Sequence, residues 1–205
     1  YTLSDIYFPY VGTENHAYQR HSKLGVWADG EFSWLDDVEW KRTLRYDEDT
    51  LVTKVTAANP RLGVELMVED AVDFDSNVLL RRFTARVTGN RAIDVRLYHH
   101  LDVAIGGNTV GDTVFFHPDS QSLIAYKNRH YLLLGGQTEN SDHLDSWTTG
   151  RKTSWTDAED GELDSLPIAF GSIDCVGELR LGLLTSGRPT VAHTWLAAGA
   201  AARTG

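Results

Sequence analysis

The stretch Val64-Glu65-Leu66-Met67-Val68-Glu69 decides the fold class of this chain. Val64, Leu66 and Val68 share one face of an extended backbone, while Glu65 and Glu69 point to the other face. This period of two is typical of a half-buried β-strand, whereas a helix repeats its apolar residues three and four positions apart. The stretch therefore predicts a strand with one face in a core and the other in water.

The same alternation recurs further along the chain. Residues 77–88 place Leu79 and Phe83 on one side, and residues 92–103 alternate apolar residues such as Val95 with charged residues. No window of a dozen residues shows the helical pattern. The sequence therefore predicts an all-β protein.

Turn signals separate the predicted strands at short intervals. Asp29-Gly30 lies between two aromatic-rich runs and tolerates positive φ, and further breaks fall at residues 59–63, 88–91 and 127–129. Connections this short exclude helical crossovers, so the strands should be antiparallel. About a dozen or more strands of five or six residues exceed one flat sheet, which favours a two-layer sandwich.

Residues 137–166 depart from the strand pattern because they are polar and rich in turn-forming residues. We interpret this segment either as a functional excursion or as a loop with a short helical piece. Strand patterning resumes at residue 167, which predicts one sandwich domain over residues 1–199. The last residues of the sequence are rich in alanine, and residues 200–205 are predicted to begin a linker or helix.

The charge balance excludes some partners. The 205 residues carry 29 acidic and 19 basic side chains, for a net charge of −10. Such a surface repels phosphate backbones, so no nucleic-acid partner is expected. Ordinary solubility explains the acid excess, but only five of the bases are Lys, which favours a salt-loving source.

The sequence predicts no membrane segment, because no apolar run approaches the roughly 20 residues of a spanning helix. Cys175 is the single cysteine, so an internal disulfide is impossible and no oxidising compartment is required. These features favour a cytoplasmic location.

The histidines do not suggest a metal site. His99 and His100 are neighbours on a predicted strand and point to opposite faces, so they cannot hold one ion together. His100 and Asp102 do share a face, which is compatible with a general base and its orienting carboxylate or with a simple polar cross-link. No phosphate-binding loop or nucleophile elbow is present, and we expect no cofactor.

Aromatic residues are concentrated in the first 40 positions and include Tyr10, Trp27 and Trp34, with Asn15 and His16 nearby. Aromatic rings stack on sugar rings, and they also fill the cores of sandwiches. The sequence leaves both roles open.

Blocks spread over nearly the whole chain resemble the N-terminal domain of glycoside hydrolase family 15 proteins, of the archaeal and bacterial glucoamylase, glucodextranase or trehalase type. The blocks follow one another in the family's order. The blocks are 5–16, 24–35, 97–102, 111–113, 155–163 and 195–199.

The resemblance implies a galactose-mutarotase-like supersandwich of two large antiparallel sheets. In the family this domain precedes an (α/α)6 barrel that carries both catalytic glutamates, so no catalytic residue is assigned within this chain. The expected role is an accessory domain that docks on the barrel in cis and shapes access of an α-glucan or oligosaccharide. Tyr10, Asn15, His16 and Trp34 are the candidates for the barrel interface or substrate rim.

Two alternatives accompany this interpretation. The first is that Asn15 caps its own loop backbone, which is a common role of asparagine in turns. The second is that the chain is a free-standing sugar-binding or aldose-epimerase-like protein, since the same fold hosts mutarotases. In that case His100 with Asp102 or Glu159 would form the acid–base set.

Overall fold

A computed structural model describes residues 1–73 and 75–201 of the chain. Over these residues it contains fifteen strands, one α-helical turn and two short 3-10 helices. The strands are β1 Thr2–Leu3, β2 Ser22–Ala28, β3 Glu31–Trp34, β4 Lys41–Tyr46, β5 Thr53–Asn59, β6 Val64–Val72, β7 Val78–Val87, β8 Ile93–Asp102, β9 Thr113–His117, β10 Ser122–Lys127, β11 His130–Thr138, β12 Ser146–Gly150, β13 Ile168–Phe170, β14 Asp174–Leu184 and β15 Thr190–Ala200. The helix α1 is Ser154–Asp157, and the 3-10 helices are Ile105–Gly107 and Ala158–Asp160.

The strands form two antiparallel sheets. The smaller has six strands in the order β1-β2-β8-β14-β12, with β3 also paired to β2. The larger has nine strands in the order β13-β9-β10-β11-β15-β7-β6-β5-β4. The predicted all-β, two-layer antiparallel architecture is confirmed.

The core lies between the two sheets, as the period-two pattern requires. Val64, Leu66 and Val68 of β6 are fully buried, and they pack in one cluster with Val95 and Leu97 of β8 from the other sheet. Burying each such side chain contributes about 1.5–3 kcal/mol. The alternating stretch that predicted a strand therefore supplies the central contact of the sandwich.

The predicted hairpin between β2 and β3 is also confirmed. Asp29 and Gly30 have φ values of 47° and 96° and connect strands in which Ala28 pairs with Glu31. Positive φ at both central residues matches the right-handed twist of the flanking strands, so this dipeptide fixes the register locally.

The polar segment of residues 137–166, which we call the excursion, covers the outer face of the six-stranded sheet. It contains α1, so the predicted short helical piece is present, and it also contains β12, an edge strand that the sequence pattern did not reveal. A second apolar cluster lies beneath it, formed by Trp34, Tyr98, Ala158 and Val176. The smaller sheet is therefore packed on both faces.

The last strand extends through most of the alanine-rich end. Ala197 and Ala200 of β15 pair with Leu133 and His130 of β11, so this segment is strand up to Ala200. Residues 202–205, which belong to the predicted linker, lie outside the described residues. In the described part of the chain no helix has the length and apolar character needed to cross a membrane.

Candidate functional site

Asn15 organises the loop that precedes β2. Its side-chain oxygen accepts hydrogen bonds from the backbone N–H groups of Ile6, Ala17 and Tyr18 at 3.2, 3.0 and 3.3 Å. Its amide group donates to the Asp5 carboxylate at 2.6 Å. Asn15 thus satisfies the backbone of its own loop, which is the capping role that the sequence left open.

His16 anchors the same loop to a second one. The side chain is fully buried, its Nε2 donates to the carbonyl of Phe8 at 2.8 Å, and its Nδ1 accepts from the backbone N–H of Gly106 at 3.0 Å. The bond at Nδ1 requires the neutral ring, and burial lowers the pKa of His16, with the nearby His130 acting in the same direction. His16 is therefore a neutral cross-link below the surface.

Lys127 fixes the second loop, residues 105–112. Its ammonium donates to the carbonyls of Ile105 and Asn108, at 2.7 Å each, and to the Asn108 side chain at 2.8 Å. It also lies 3.3 Å from Asp112, a fully buried carboxylate. Burial raises the pKa of Asp112, and Lys127 opposes that shift. Together these contacts hold the loop in one conformation.

These two loops present a group of exposed apolar side chains that we call the aromatic end. Tyr10, Val11 and Val110 are 71%, 88% and 81% exposed, and Tyr7 and Tyr18 are also exposed. The Tyr18 ring lies 3.9 Å from the position of a Cβ on Gly107, so the two loops touch. Contiguous apolar groups on a rigid surface mark interaction sites in soluble proteins.

The aromatic end lies beside the end of the last strand. Glu14 forms an ion pair with His130 at 3.6 Å, and the rings of His16 and His130 are 5.3 Å apart. His130 pairs with Ala200 of β15, and Arg129 donates to the carbonyl of Ala201. The chain therefore leaves the sandwich next to the loop that carries Tyr10.

Trp34 lies away from this loop. It is buried on the outer face of the six-stranded sheet, where its Nε1 donates to Glu159 at 3.0 Å and its ring is 5.9 Å from the ring of His100. The structure thus brings Trp34 together with two residues of the alternative acid–base set rather than with Tyr10.

The residues of that set have separate partners. His100 is 2% exposed, and its Nε2 lies 3.3 Å from Asp174. Asp102 instead pairs with Arg20 at 3.4 Å, and Glu159 binds Trp34. The imidazole–carboxylate contact therefore involves Asp174, which sequence reasoning missed because it lies 74 positions further along the chain.

Asp174 also holds the excursion in place. Its carboxylate accepts hydrogen bonds from the backbone N–H groups of Lys152, Thr153 and Ser154 at 2.7, 3.3 and 3.1 Å. These groups precede or begin α1, so the buried carboxylate satisfies donors that the short helix leaves free. His100 and Asp174 thus form a structural pair beneath the helix.

Further hydrogen bonds hold the excursion against the same face of the six-stranded sheet. The carbonyl of Gly161 accepts hydrogen bonds from Arg96 at 2.7 Å and from the Tyr98 hydroxyl at 2.8 Å. Burial raises the pKa of Tyr98 and of the fully buried Glu178, whose charge is balanced by Arg96 and Arg180. No sugar has access to His100 in this conformation.

Metal ligation receives no support from the side chains. In residues 1–73 and 75–201, no group of three or more His, Cys, Asp or Glu side chains has an arrangement that holds a metal ion.

The two antiparallel sheets and the core between them define the class of this domain as a β-sandwich. No family model matches the chain. A bacterial glucoamylase, solved in complex with acarbose, superposes with a TM-score of 0.76 and 14% identity over 98% of this chain and 29% of that one. A candidate kojibiose phosphorylase from the human microbiome gives a TM-score of 0.55 and 12% identity over 96% of this chain and 25% of that one.

Sequence comparison finds one curated relative, an uncharacterized glycosyl hydrolase of Methanocaldococcus jannaschii. It is 27% identical over 153 residues, which is 75% of this chain and 23% of the relative. The chain thus spans about a quarter of the length of the proteins it matches. The resemblance to a glucoamylase-type domain is confirmed at the level of the fold.

Proposed function

We propose that this chain is a non-catalytic accessory domain of a glucoamylase-type α-glucosidic hydrolase of family 15, and that its aromatic end docks on the catalytic (α/α)6 barrel of the same polypeptide. The exposed side chains of Tyr10, Val11 and Val110 carry this proposal. They sit on loops held by Asn15 and His16, so docking them costs little conformational entropy.

The position of Ala201 at the edge of the sandwich supports the same partner. Ala201 leaves the sandwich beside Arg129, next to the aromatic end. A domain that follows in the same polypeptide would start close to this surface, and a short connection gives a high effective concentration. The match to proteins more than three times as long as this chain fits this arrangement.

A catalytic role of the chain itself is less well supported. Inverting hydrolysis uses a general acid and a general base about 6.5–9.5 Å apart with room for a water between them. His100, Asp102 and Glu159 are each engaged with another side chain, and His100 is covered by the excursion. In the proposed protein the barrel therefore performs the reaction on an α-glucan or oligosaccharide in the cytoplasm, and this domain shapes the approach to it.

The test is to express the barrel of the parent gene separately and to titrate it with this chain by calorimetry. Val11→Asp and Tyr10→Asp should weaken binding by about tenfold or more, because a charge enters an apolar contact. Val38→Asp is the matched control, since Val38 is 95% exposed in the loop between β3 and β4, outside the aromatic end. Equal binding by Val11→Asp and Val38→Asp would contradict the proposed surface.

A second measurement addresses the catalytic role. The purified chain should release no glucose from maltodextrin, isomaltose or trehalose. Turnover that disappears in a variant within residues 1–205 would overturn the accessory-domain proposal.

A further inference from the structure

An open basin of about 340 Å³ lies on the excursion, apart from the aromatic end. Its floor comes from the edge strand β12 and from α1, and its rim comes from the return that follows Asp157 and ends near Leu166. Leu166 is held there because its carbonyl accepts hydrogen bonds from both the backbone N–H and the hydroxyl of Thr149.

Two buried hydroxyl groups at the floor lack hydrogen-bond partners. Thr148 and Ser154 line the basin, they are 1% and 2% exposed, and their side-chain oxygens are unpaired. The Thr148 hydroxyl lies near Asp157 and opposes the rise that burial causes in the pKa of that carboxyl, but the two groups do not meet hydrogen-bonding geometry. Buried polar groups without partners in a native protein usually indicate a water or a ligand that completes them.

Three carboxylates surround these hydroxyls without a cationic partner. Asp157 accepts from the backbone N–H of Asp164, and Asp160 accepts from that of Glu162. Among residues 1–73 and 75–201, none of Asp157, Asp160 and Asp164 forms an ion pair, whereas the neighbouring Glu162 pairs with Arg96. Burial raises the pKa of Asp157, and the charges of Asp164 and Asp160 add to this effect.

The chemistry of the lining selects the kind of ligand. Carboxylate oxygens accept hydrogen bonds, and hydroxyl groups both donate and accept, so the basin suits a neutral molecule with many hydroxyl groups. An anion is disfavoured by the three carboxylates, and the described side chains lack the grouping that a metal ion needs. Leu166, which is half exposed, offers an apolar wall for the C–H face of a ring.

We propose that this basin binds one pyranose unit, with Asp157, Asp160 and Asp164 accepting hydrogen bonds from its hydroxyl groups and with Ser154 and Thr148 below it. The volume falls within the range of small-molecule pockets. The site contains no residue of the aromatic end, so it goes beyond the docking role and does not depend on it.

The experiment is an amide NMR titration of the 205-residue chain with maltose up to about 50 mM, a range suited to millimolar affinity. Shifts should concentrate at Ser154, Asp157 and Asp164. The same spectra report whether each variant is folded. Asp164→Ala should weaken binding by about tenfold, because Asp164 is exposed and its side chain accepts hydrogen bonds only from the ligand.

Asp119→Ala is the control, since Asp119 is an exposed carboxylate in the turn between β9 and β10. It should leave the maltose shifts unchanged. The absence of shifts with maltose, an equal effect of the two variants, or shifts with calcium chloride in place of maltose would each overturn the proposal.

Discussion

The backbone N–H of Gly106 donates a hydrogen bond to Nδ1 of His16 over 3.0 Å, which joins two loops 90 positions apart in the chain. The other ring nitrogen of His16 donates to Phe8. The bond from Gly106 requires an unprotonated Nδ1, so this link between the two loops forms only while His16 is neutral.

The first prediction concerns pH. Burial lowers the pKa of His16 and places the pKa of His99 well below its usual value. As the pH falls, these two histidines are therefore protonated in the unfolded chain before they are protonated in the folded protein. The stability that they contribute is complete at a pH above about 6.5, the pKa of histidine in the unfolded chain, and it is lost as the pH falls below this value. The melting temperature should therefore decrease from about pH 7 to pH 5.

The control for this prediction is His16→Gln, which keeps a donor and an acceptor but cannot be protonated. Buried carboxyls such as Asp112 and Glu178 have a raised pKa and therefore stabilise the fold toward lower pH, which opposes the histidines. The difference between the two proteins isolates His16. A pH dependence that is identical in both would contradict the assignment.

The second prediction concerns Asn15. Asn15→Ala removes the acceptor of three backbone N–H groups and should lower the free energy of unfolding by about 1–3 kcal/mol. Urea denaturation of the variant measures this loss. Asn140→Ala changes an exposed asparagine in the turn after β11 and should be nearly neutral. If both variants unfold at the same urea concentration, Asn15 does not organise its loop.

The third prediction concerns the excursion. Gly161 has a φ of 87°, and a Cβ there would lie 2.4 Å from the indole of Trp27, which Arg96 covers at 4.2 Å. Gly161→Ala should therefore destabilise the fold by about 1–3 kcal/mol through backbone strain and steric overlap. Gly89→Ala is the matched control, because a Cβ at Gly89 meets nothing within 4 Å and its φ is not positive. Thermal unfolding followed by tryptophan fluorescence distinguishes the two, and a neutral Gly161→Ala would show that the excursion is not held against Trp27.

The fourth prediction concerns salt. With a net charge of −10, screening of the repulsion between carboxylates should raise the melting temperature as NaCl or KCl increases to molar concentration. Exposed ion pairs such as that of Arg61 with Glu39 weaken under the same conditions, but solvent screening already makes their contribution to stability small. A melting temperature that stays constant or decreases with salt would remove the support for a salt-loving source.

Local sequence determined the strands and their turns. The alternation in residues 64–69 and the Asp29-Gly30 turn specify backbone geometry within a few residues, because side-chain direction and φ are local properties. The strand β12 escaped detection since Ser146–Gly150 is an edge strand whose threonines carry no alternating apolar signal.

Tertiary structure alone decided which side chains meet and which remain exposed. His100 meets Asp174 rather than Asp102 because β14 lies beside β8 in the sheet, an order that depends on the packing of the whole sandwich. The sequence placed Tyr10, His16 and Trp34 in one candidate set, yet Tyr10 is exposed while the other two are buried in different places. Residue type fixes what a side chain can do, whereas burial depends on long-range contacts that no short stretch of sequence contains.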